Sequence, residues 1–482
     1  MPKKILFTPS YFYRLDDKQW RNQQPYPPYA TLLAASFIRN AGFAVQLFDS
    51  NLKHSPTEIR EVIHEFQPDY LIVYDDSFNY LSKMCLTNMR NACFEMIAYG
   101  KKAGCTVIVN SSDATDHPDI YLNAGAHIVI KGEGELTLHE LLITDCAALS
   151  TCSGIAYLED GALQTTSKRA VLANLDELPQ PAWDLVEVDA YKKIWMRAHN
   201  KFSLNIATTR GCPFKCNWCA KPIYGNRYNT RSPEAVVEEL KLLMNEFGAT
   251  HFWVCDDIFG LKPGWAQSFA ILLAKAALKP RFKIQCRADL LLKENNIKHL
   301  VDAGLDEVWM GAESGSQSIL DAMDKGTKVE QIAEATSLLK KYSVKVCFFL
   351  QYGYLGEDKA DIQLTLNMVK QLIPHDIGIS VSYPLPGTGF YEKVKEQLQQ
   401  KRNWTDSDDL DMMYQGTYSQ QFYKHLHRHT HTVFRKQKSL DNLRNLFNTT
   451  SDNQMAKVKS IIKLPYHWLS EMLSQQKLKS LQ

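Results

Sequence analysis

Two hydrophobic patterns alternate along most of this chain. Short continuous apolar runs mark buried strands, and runs with apolar positions every three or four residues mark helices. Lys4-Ile5-Leu6-Phe7 reads as the first strand. Pro27 and Pro28 then precede a helical run with Leu32, Leu33, Ser36, Phe37 and Arg39 that ends near Gly42. Val45 to Phe48 is the next strand, followed by a helix from Pro56 to Phe66 and a strand from Tyr70 to Tyr74. A helix from Asn88 to Gly100 leads to strands at Thr106–Val109 and His127–Ile130. Strand and helix alternating at this spacing predict a doubly wound parallel sheet over residues 1–145. Ligands of such sheets bind beyond the carboxyl ends of the strands. Here those ends are Thr8 to Ser10, Asp75 to Ser77, Asn110 to Ser112 and Lys131 to Glu135.

Residues 146–200 read as a connector, because Leu178-Pro179-Gln180-Pro181 cannot continue a helix. A second strand–helix series fills 201–400. Its strands start near Leu204, His251, Phe282, Glu307, Val344 and Ile377, about one βα unit apart. The helix after the first of them is well marked. Ser232 suits the N-cap and Pro233 the first turn, with Val236, Leu240, Leu243 and Phe247 as the apolar face and Gly248 as the stop. Six such units predict a partial (β/α)6 barrel, with chemistry at the carboxyl ends of its strands. Residues 401–482 read as mostly helical. Their last segment is amphipathic, with Leu464, Trp468, Leu469, Met472 and Leu473.

Composition narrows the class. The 482 residues are 45% hydrophobic and 22% charged, with a net charge of +2, which argues neither for disorder nor for nucleic acid. No apolar run reaches the ~18 residues of a membrane span, and the short run after Lys3 and Lys4 is no signal-peptide core. The expected location is the cytoplasm, where cysteines stay reduced and clustered ones bind metal or catalyse. Charge is unevenly placed. From Lys424 onward there are eight Lys and three Arg against three acids. His425, His427, His429 and His431 recur at every second position, a spacing that a helix scatters around its axis, so a solvated basic surface is expected there.

The most informative segment is Thr209-Arg210-Gly211-Cys212-Pro213-Phe214-Lys215-Cys216-Asn217-Trp218-Cys219. Three thiolates in a C-x3-C-x2-C spacing, on the loop after the first barrel strand, suit an iron–sulfur cluster or zinc. A structural zinc wants four protein ligands, and no fourth Cys or His follows within thirty residues. A cubane held by three thiolates leaves one iron open to a small molecule. The other eight cysteines (Cys85, Cys93, Cys105, Cys146, Cys152, Cys255, Cys286 and Cys347) show no pattern and read as small buried hydrophobes.

This motif resembles the radical SAM superfamily, in which the three cysteines hold a 4Fe–4S cluster and the fourth iron chelates S-adenosylmethionine (SAM). The resemblance runs through the barrel: Arg231-Ser232-Pro233-Glu234, Val254 to Phe259, Gln285 to Asp289, Gly311-Ala312-Glu313-Ser314-Gly315-Ser316, Met323-Asp324-Lys325-Gly326 and Gln351 to Glu357. Two positions depart from the family pattern, Ala312 where Ile is usual and Leu355 where Pro is usual. It implies that Cys212, Cys216 and Cys219 bind the cluster and that Asp256 or Asp257 receives the SAM ammonium, unless it caps a helix. It also implies that Arg287 pairs with the SAM carboxylate, that Glu313 accepts from the ribose or orders the site, and that Trp218 packs near the adenine.

The first sheet lacks G-x-G-x-x-G and a P-loop, so Asp49, at the second strand end, is not read as the ribose acid of a dinucleotide site. With the barrel, it is similar to the cobalamin-binding half of cobalamin-dependent radical SAM enzymes, through Asp119 to Leu142 and above all Lys131-Gly132-Glu133-Gly134-Glu135. The branch suggested is that of the anaerobic magnesium-protoporphyrin monomethyl ester cyclase and the C- and P-methylases, on Ile379 to Thr388 and the Phe422-Tyr423 region. Cobalamin contacts are then expected from Ser10, Ser77, Ser112, Gly132, Glu133 and Gly134. Asn110 to Asp113 stands where the family often has paired glycines. No D-x-H-x-x-G is present, so no motif histidine is expected below the cobalt, His117 being the one other candidate. The implied activity is reductive cleavage of SAM to a 5′-deoxyadenosyl radical and methylation of an unactivated carbon. The alternatives are oxidative ring closure of a porphyrin-like substrate and a radical SAM enzyme that has lost cobalamin. The implied partners are a small-molecule substrate and a flavodoxin- or ferredoxin-type reductant.

Overall fold

The structure is a computed structural model and describes residues 2–78, 86–398, 401, 403–446 and 454–481. Seven strands form the first sheet: β1 (Lys4–Thr8), β2 (Ala44–Leu47), β3 (Tyr70–Tyr74), β4 (Thr106–Asn110), β5 (Ile128–Ile130), β6 (Ile155–Glu159) and β7 (Ala162–Thr165). Their order is β2-β1-β3-β4-β5-β6-β7. The first five are parallel, and the apolar runs of β1, β3, β4 and β5 are buried while the edge strand β2 is only half-buried. Leu6, Leu71, Ile72, Ile108 and Val129 are fully buried.

The sheet continues past residue 145. Within the stretch read as connector, β6 pairs antiparallel with β5, and β7 pairs antiparallel with β6. The signal was Asp160-Gly161. Both residues have positive φ, 50° and 80°, as a two-residue hairpin turn of the right twist demands. The remaining connector carries the helix Val188–His199, whose Tyr191 hydroxyl donates to Asp49 at 2.6 Å.

The second sheet is built from β8 (Ser203–Ile206), β11 (His251–Val254), β12 (Arg281–Cys286), β13 (Leu305–Glu313), β14 (Lys345–Tyr352) and β15 (Asp376–Val381). All neighbours are parallel, in the order β15-β14-β13-β12-β11-β8. Its end strands β8 and β15 do not pair, so the barrel is partial, as expected. Between β8 and β11 a two-residue strand, β9 (Thr209–Arg210), pairs antiparallel with β10 (Asn229–Thr230). The Pro233–Phe247 helix is capped as its sequence predicts, with Ser232 Oγ accepting from Ala235 N at 3.1 Å and Gly248 left-handed.

The C-terminal region is helical. The Gln420–Arg444 helix buries Phe422, Tyr423, Leu426 and Val433. That same face carries His429, which is buried and bonded to Ser474 at 2.7 Å, and the rings of His427 and His431 lie 4.7 Å apart one turn from each other. The histidine row is therefore scattered around the axis as expected, but it is not a solvated surface: the helix docks, and docking buries part of it.

Gly304, at the amino end of β13, has φ +106°, and a Cβ there would lie 2.0 Å from the Pro280 carbonyl oxygen. Gly304→Ala is expected to destabilise the barrel by roughly 1–3 kcal/mol through backbone strain. It should leave the distant carboxyl-end site intact, which thermal unfolding read alongside cluster content will check.

Candidate active site

The β9–β10 clasp closes the loop that carries the cysteines. Gly211 follows β9 directly, at φ +78°, and a Cβ on it would meet the Arg227 carbonyl oxygen at 2.4 Å. Only glycine fits there. Cys212, Cys216 and Cys219 lie half-buried on this one loop. Among the described residues no three His, Cys, Asp or Glu side chains stand around a single metal-ion position. A cubane takes each thiolate on a different iron, so its ligands need not meet at a point. Of the other cysteines, Cys93, Cys105, Cys152, Cys255, Cys286 and Cys347 are buried, Cys146 is half-buried, and Cys85 lies outside the described residues.

Three cations line the loop. Lys221 donates to the Cys212 carbonyl at 3.2 Å and to Asn226 Oδ1 at 2.6 Å. Arg287 stacks 3.8 Å from the centre of the Phe214 ring and points Nη1 at Cys216 Sγ, 3.9 Å away, while its Nε binds Asp289 at 2.9 Å. Lys325 pairs with Glu313 at 2.8 Å in a nearly buried bridge and lies 5.9 Å from the centre of the Trp218 ring. Burial opposes its charge, yet Glu313 and Cys216 hold the Lys325 ammonium above its ordinary range. The Trp218 indole N–H is buried without a partner.

Asn217 fixes the loop from outside. Its side chain donates to the Ala322 carbonyl at 2.7 Å and to Asp324 at 2.9 Å, and its backbone N–H reaches the Met323 carbonyl at 3.0 Å. Tyr354, from the run after β14, donates to Asn217 Oδ1 at 2.7 Å. The segments 322–326 and 351–357, read as family signatures, thus brace the cysteine loop.

The two aspartates after β11 part company. Asp256 is fully buried and accepts from Thr208 N at 2.7 Å, Thr209 N at 3.0 Å and the Thr208 hydroxyl. Burial pushes its pKa up to about 6 despite those bonds. It ties the ends of β8 and β11 together through these bonds. Asp257 is half-buried and close enough to Cys212 to help burial raise that thiol's pKa. Glu313 sits at φ +56°, rare for a residue with a side chain, where the β13–β14 register shifts.

At the first sheet, the expected cofactor turn does something else. Arg210, 4% exposed, bridges Glu133 and Glu135, with Nη2 2.7 Å from Glu135 Oε1. Glu133 also accepts from Leu172 N. The Arg210 guanidinium lies 5.0 Å from the centre of the Tyr224 ring, and the Tyr224 hydroxyl is 2.6 Å from Ser77 Oγ. A Cβ on Gly134 would meet Tyr74 at 2.6 Å and Asn110 at 3.0 Å. Glu133 is therefore engaged with the barrel domain and Gly134 packs against its own sheet. Ser10 donates twice to Asp75, at 2.6 and 2.9 Å. Ser112 is buried, and the Gly132 N–H, on a residue at φ +84°, donates to Thr115 Oγ1 at 3.1 Å. Beyond these residues a cleft of about 280 Å³ separates Asp116 and His117 after β4 from Tyr383 and Pro386 after β15. It faces the carboxyl ends of both sheets.

The sequence profile of the Radical SAM superfamily matches residues 206–369, from β8 to the helix after β14. These residues form a radical SAM domain. Over a longer span the chain is 26% identical to an uncharacterized methyltransferase of Pyrococcus horikoshii, covering 80% of this chain and 82% of that one. It is 25% identical to the anaerobic magnesium-protoporphyrin IX monomethyl ester cyclase of Rubrivivax gelatinosus, over 56% of this chain and only 49% of the cyclase. Its fold matches that of the cobalamin-dependent SAM radical enzyme OxsB, solved with aqua-cobalamin and SAM. The TM-score is 0.74 at 16% identity, covering 98% of this chain and 72% of OxsB.

Within the radical SAM domain, sequence reading missed Arg210, Lys325, Asn217 and Tyr224 as structural determinants. Arg210 had the clearest signal, an arginine immediately before the Gly-Cys of the motif. Replacing it by Ala leaves two buried carboxylates without their cation, at a cost of about 3–5 kcal/mol. Arg210→Ala is expected to lower both thermal stability and bound iron after anaerobic reconstitution, and Arg210→Lys, which cannot span two carboxylates as a fork, to fall between.

A second prediction concerns pH. Glu357 is fully buried, accepts from Gly353 N at 2.6 Å, and is pushed by burial from 4.5 up to about 8. The folded chain holds this proton in that window while the unfolded chain releases it. The stability it contributes is thus full below pH 4.5 and is lost as pH rises toward about 8. Glu357→Gln should gain stability relative to the parent between pH 5 and 9, as paired urea unfolding curves will show.

Proposed function

We propose that the chain is a cobalamin-dependent radical SAM enzyme that cleaves SAM reductively and methylates an unactivated carbon of a small molecule. The observation that carries this is the cysteine loop itself. Three thiols follow the first barrel strand, braced through Asn217 and neighboured by Arg287, Lys325 and Lys221. Those cations suit the negative charge of three thiolates and a cluster. When bound, the cluster supplies the electron that breaks the SAM sulfonium and cobalamin supplies the means of handing on a methyl group.

The chain's own residues divide the remaining work. Cys212, Cys216 and Cys219 hold the cluster. Asp257 is placed to receive the SAM ammonium, since Asp256 is enclosed. Arg287 offers its outer guanidinium nitrogens to the carboxylate while Asp289 and Phe214 fix its plane. Glu313 orders Lys325, and Trp218, with its spare N–H, packs at the adenine side. Cobalamin is assigned to the cleft between the sheets, with contacts from Gly132, Ser112 and the Asp116-His117 rim in place of Glu133 and Gly134. A flavodoxin- or ferredoxin-type protein would supply the electron.

The likeness to the cyclase favours a second reading, oxidative ring closure of a porphyrin-like substrate through the same cofactors. Product mass separates the two: a gain of one methyl per turnover against a loss of hydrogen or gain of oxygen. Anaerobically reconstituted protein is expected to hold about four iron per chain and to release 5′-deoxyadenosine from SAM on reduction. Cys216→Ala should abolish both, and normal SAM cleavage by that variant would refute the assignment. Purification with hydroxocobalamin tests the first domain. Stoichiometric uptake is expected, and its absence would point to a chain that has lost the cofactor. The cobalt resonance is expected to show no nitrogen hyperfine structure from an axial histidine, and such a pattern would refute that coordination while leaving binding intact.

A further inference from the structure

The two last helices, Gln454–Ile462 and Leu464–Ser480, turn several large apolar side chains to the outside. Three of their polar side chains face the protein. Ser460 bonds Ser439 at 2.8 Å, Ser474 bonds the buried His429 at 2.7 Å, and Glu471 pairs with Lys436 and, at 3.8 Å, with Lys370. Their large apolar side chains face out. Met455 is 73% exposed, Ile462 71%, Tyr466 68% and Trp468 62%, and Leu469 and Leu473 continue the same surface. Tyr466, Leu469 and Leu473 are spaced three and four apart, one stripe along the last helix, and Ile462 stands at the end of the helix before it. Single exposed apolar residues are ordinary, but a contiguous outward stripe marks a surface that something covers.

The charge around the stripe selects what covers it. Lys459, Lys463, Lys477 and Lys479 are exposed and form no ion pair with an acid among the described residues. Glu471 is the sole acid in residues 454–480, and it is turned inward. The outer surface thus presents cations and apolar groups with no anion among them. A second copy packed face to face would set these lysines against themselves, because a two-fold interface brings the same patch together. An anionic lipid surface complements both features, with lysines at the headgroups and Tyr466 and Trp468 at the depth that amphipathic rings prefer. No helix among the described residues is long and apolar enough to cross a membrane, so the pair would lie on the surface.

We propose that these two helices dock the protein on membranes that contain anionic lipid. The inference stands apart from the chemistry assigned to the cysteine loop. The test uses the full chain and co-sedimentation with two kinds of vesicle, one of phosphatidylcholine alone and one with phosphatidylglycerol added. The chain should pellet with the anionic vesicles, less with the neutral ones, and be released as salt rises. Trp468→Glu with Leu473→Glu should abolish pelleting. Lys459→Gln and Lys463→Gln should each weaken it about fivefold at low salt. All these side chains are exposed, so circular dichroism and SAM cleavage in solution should not change. A parent chain that ignores anionic vesicles, or a double Glu variant that still binds them, overturns the proposal. A dimer that dissociates in the double Glu variant, with no vesicle binding by the parent, assigns the face to a second copy instead.

Discussion

The Arg210 guanidinium, almost wholly enclosed, is held by two carboxylates from another sheet, and much else in the molecule depends on that arrangement. A buried cation without partners is too costly to keep, so Arg210 can be present only if Glu133 and Glu135 come with it. Because Arg210 ends β9 and Gly211 and Cys212 follow at once, the first sheet fixes where the cysteine loop begins. Tyr224, at the far end of that loop, stacks on the same guanidinium and meets Ser77 of the first domain. The loop is therefore held at both ends by the neighbouring sheet as well as by its own barrel. Burial and the neighbouring Glu135 raise the pKa of Glu133 while Arg210 opposes the rise, so the clamp is a balance in which the cation offsets both burial and the repulsion between the two carboxylates.

This explains which parts of the molecule were legible in the sequence. Strands such as β1, β3 and β4 are continuous apolar runs and others such as β12 and β15 alternate, both of them local patterns, so all five parallel strands of the first sheet and all six of the second could be read directly. The cysteine spacing and its glycine could be read because they are local. The hairpin at Asp160-Gly161 carried a local signal as well, but lay in a stretch whose prolines drew attention away from it. The clamp was not legible: Glu135 and Arg210 are 75 positions apart, and nothing in Gly-Glu-Gly-Glu tells a cofactor cradle from an ion-pair turn. Gly134 is small there because Tyr74 and Asn110 occupy the space, a fact that only packing reveals. Asp256 and Asp257 are likewise identical in sequence terms. Their difference is one of direction, since alternate residues at a strand end point opposite ways.

The cations around the cysteines share a common design. Arg287 is paired with Asp289, and Lys325 with Glu313, before any thiolate is considered. Each pair is close to neutral and nearly buried, which is how a charge can be kept beside a low-dielectric site without a ligand to balance it. What the cysteines then meet is the outward end of each pair, an oriented dipole with its positive side toward the loop. Such a field exists before a substrate arrives and needs no rearrangement when charge appears, the condition under which electrostatic stabilisation is most effective.

Backbone strain is placed with the same economy. Gly304 and Gly211 both approach a carbonyl too closely for any side chain, the first at the amino end of the barrel and the second at the carboxyl end. Among the described residues, Asp324 (φ 52°), bonded to Asn217 of the cysteine loop, and Glu313 adopt left-handed turns near the cysteines, and Glu313 does so where β13 slips register against β14. A glycine would relieve that conformation but could not hold Lys325. An ordinary extended residue would continue the strand and carry its carboxylate away from the loop. The bulge and the positive φ are thus the cost of aiming one carboxylate inward from the end of a strand. That cost is sustained because Lys325, itself fixed between Trp218 and Cys216, leaves Glu313 no other place to make its bond.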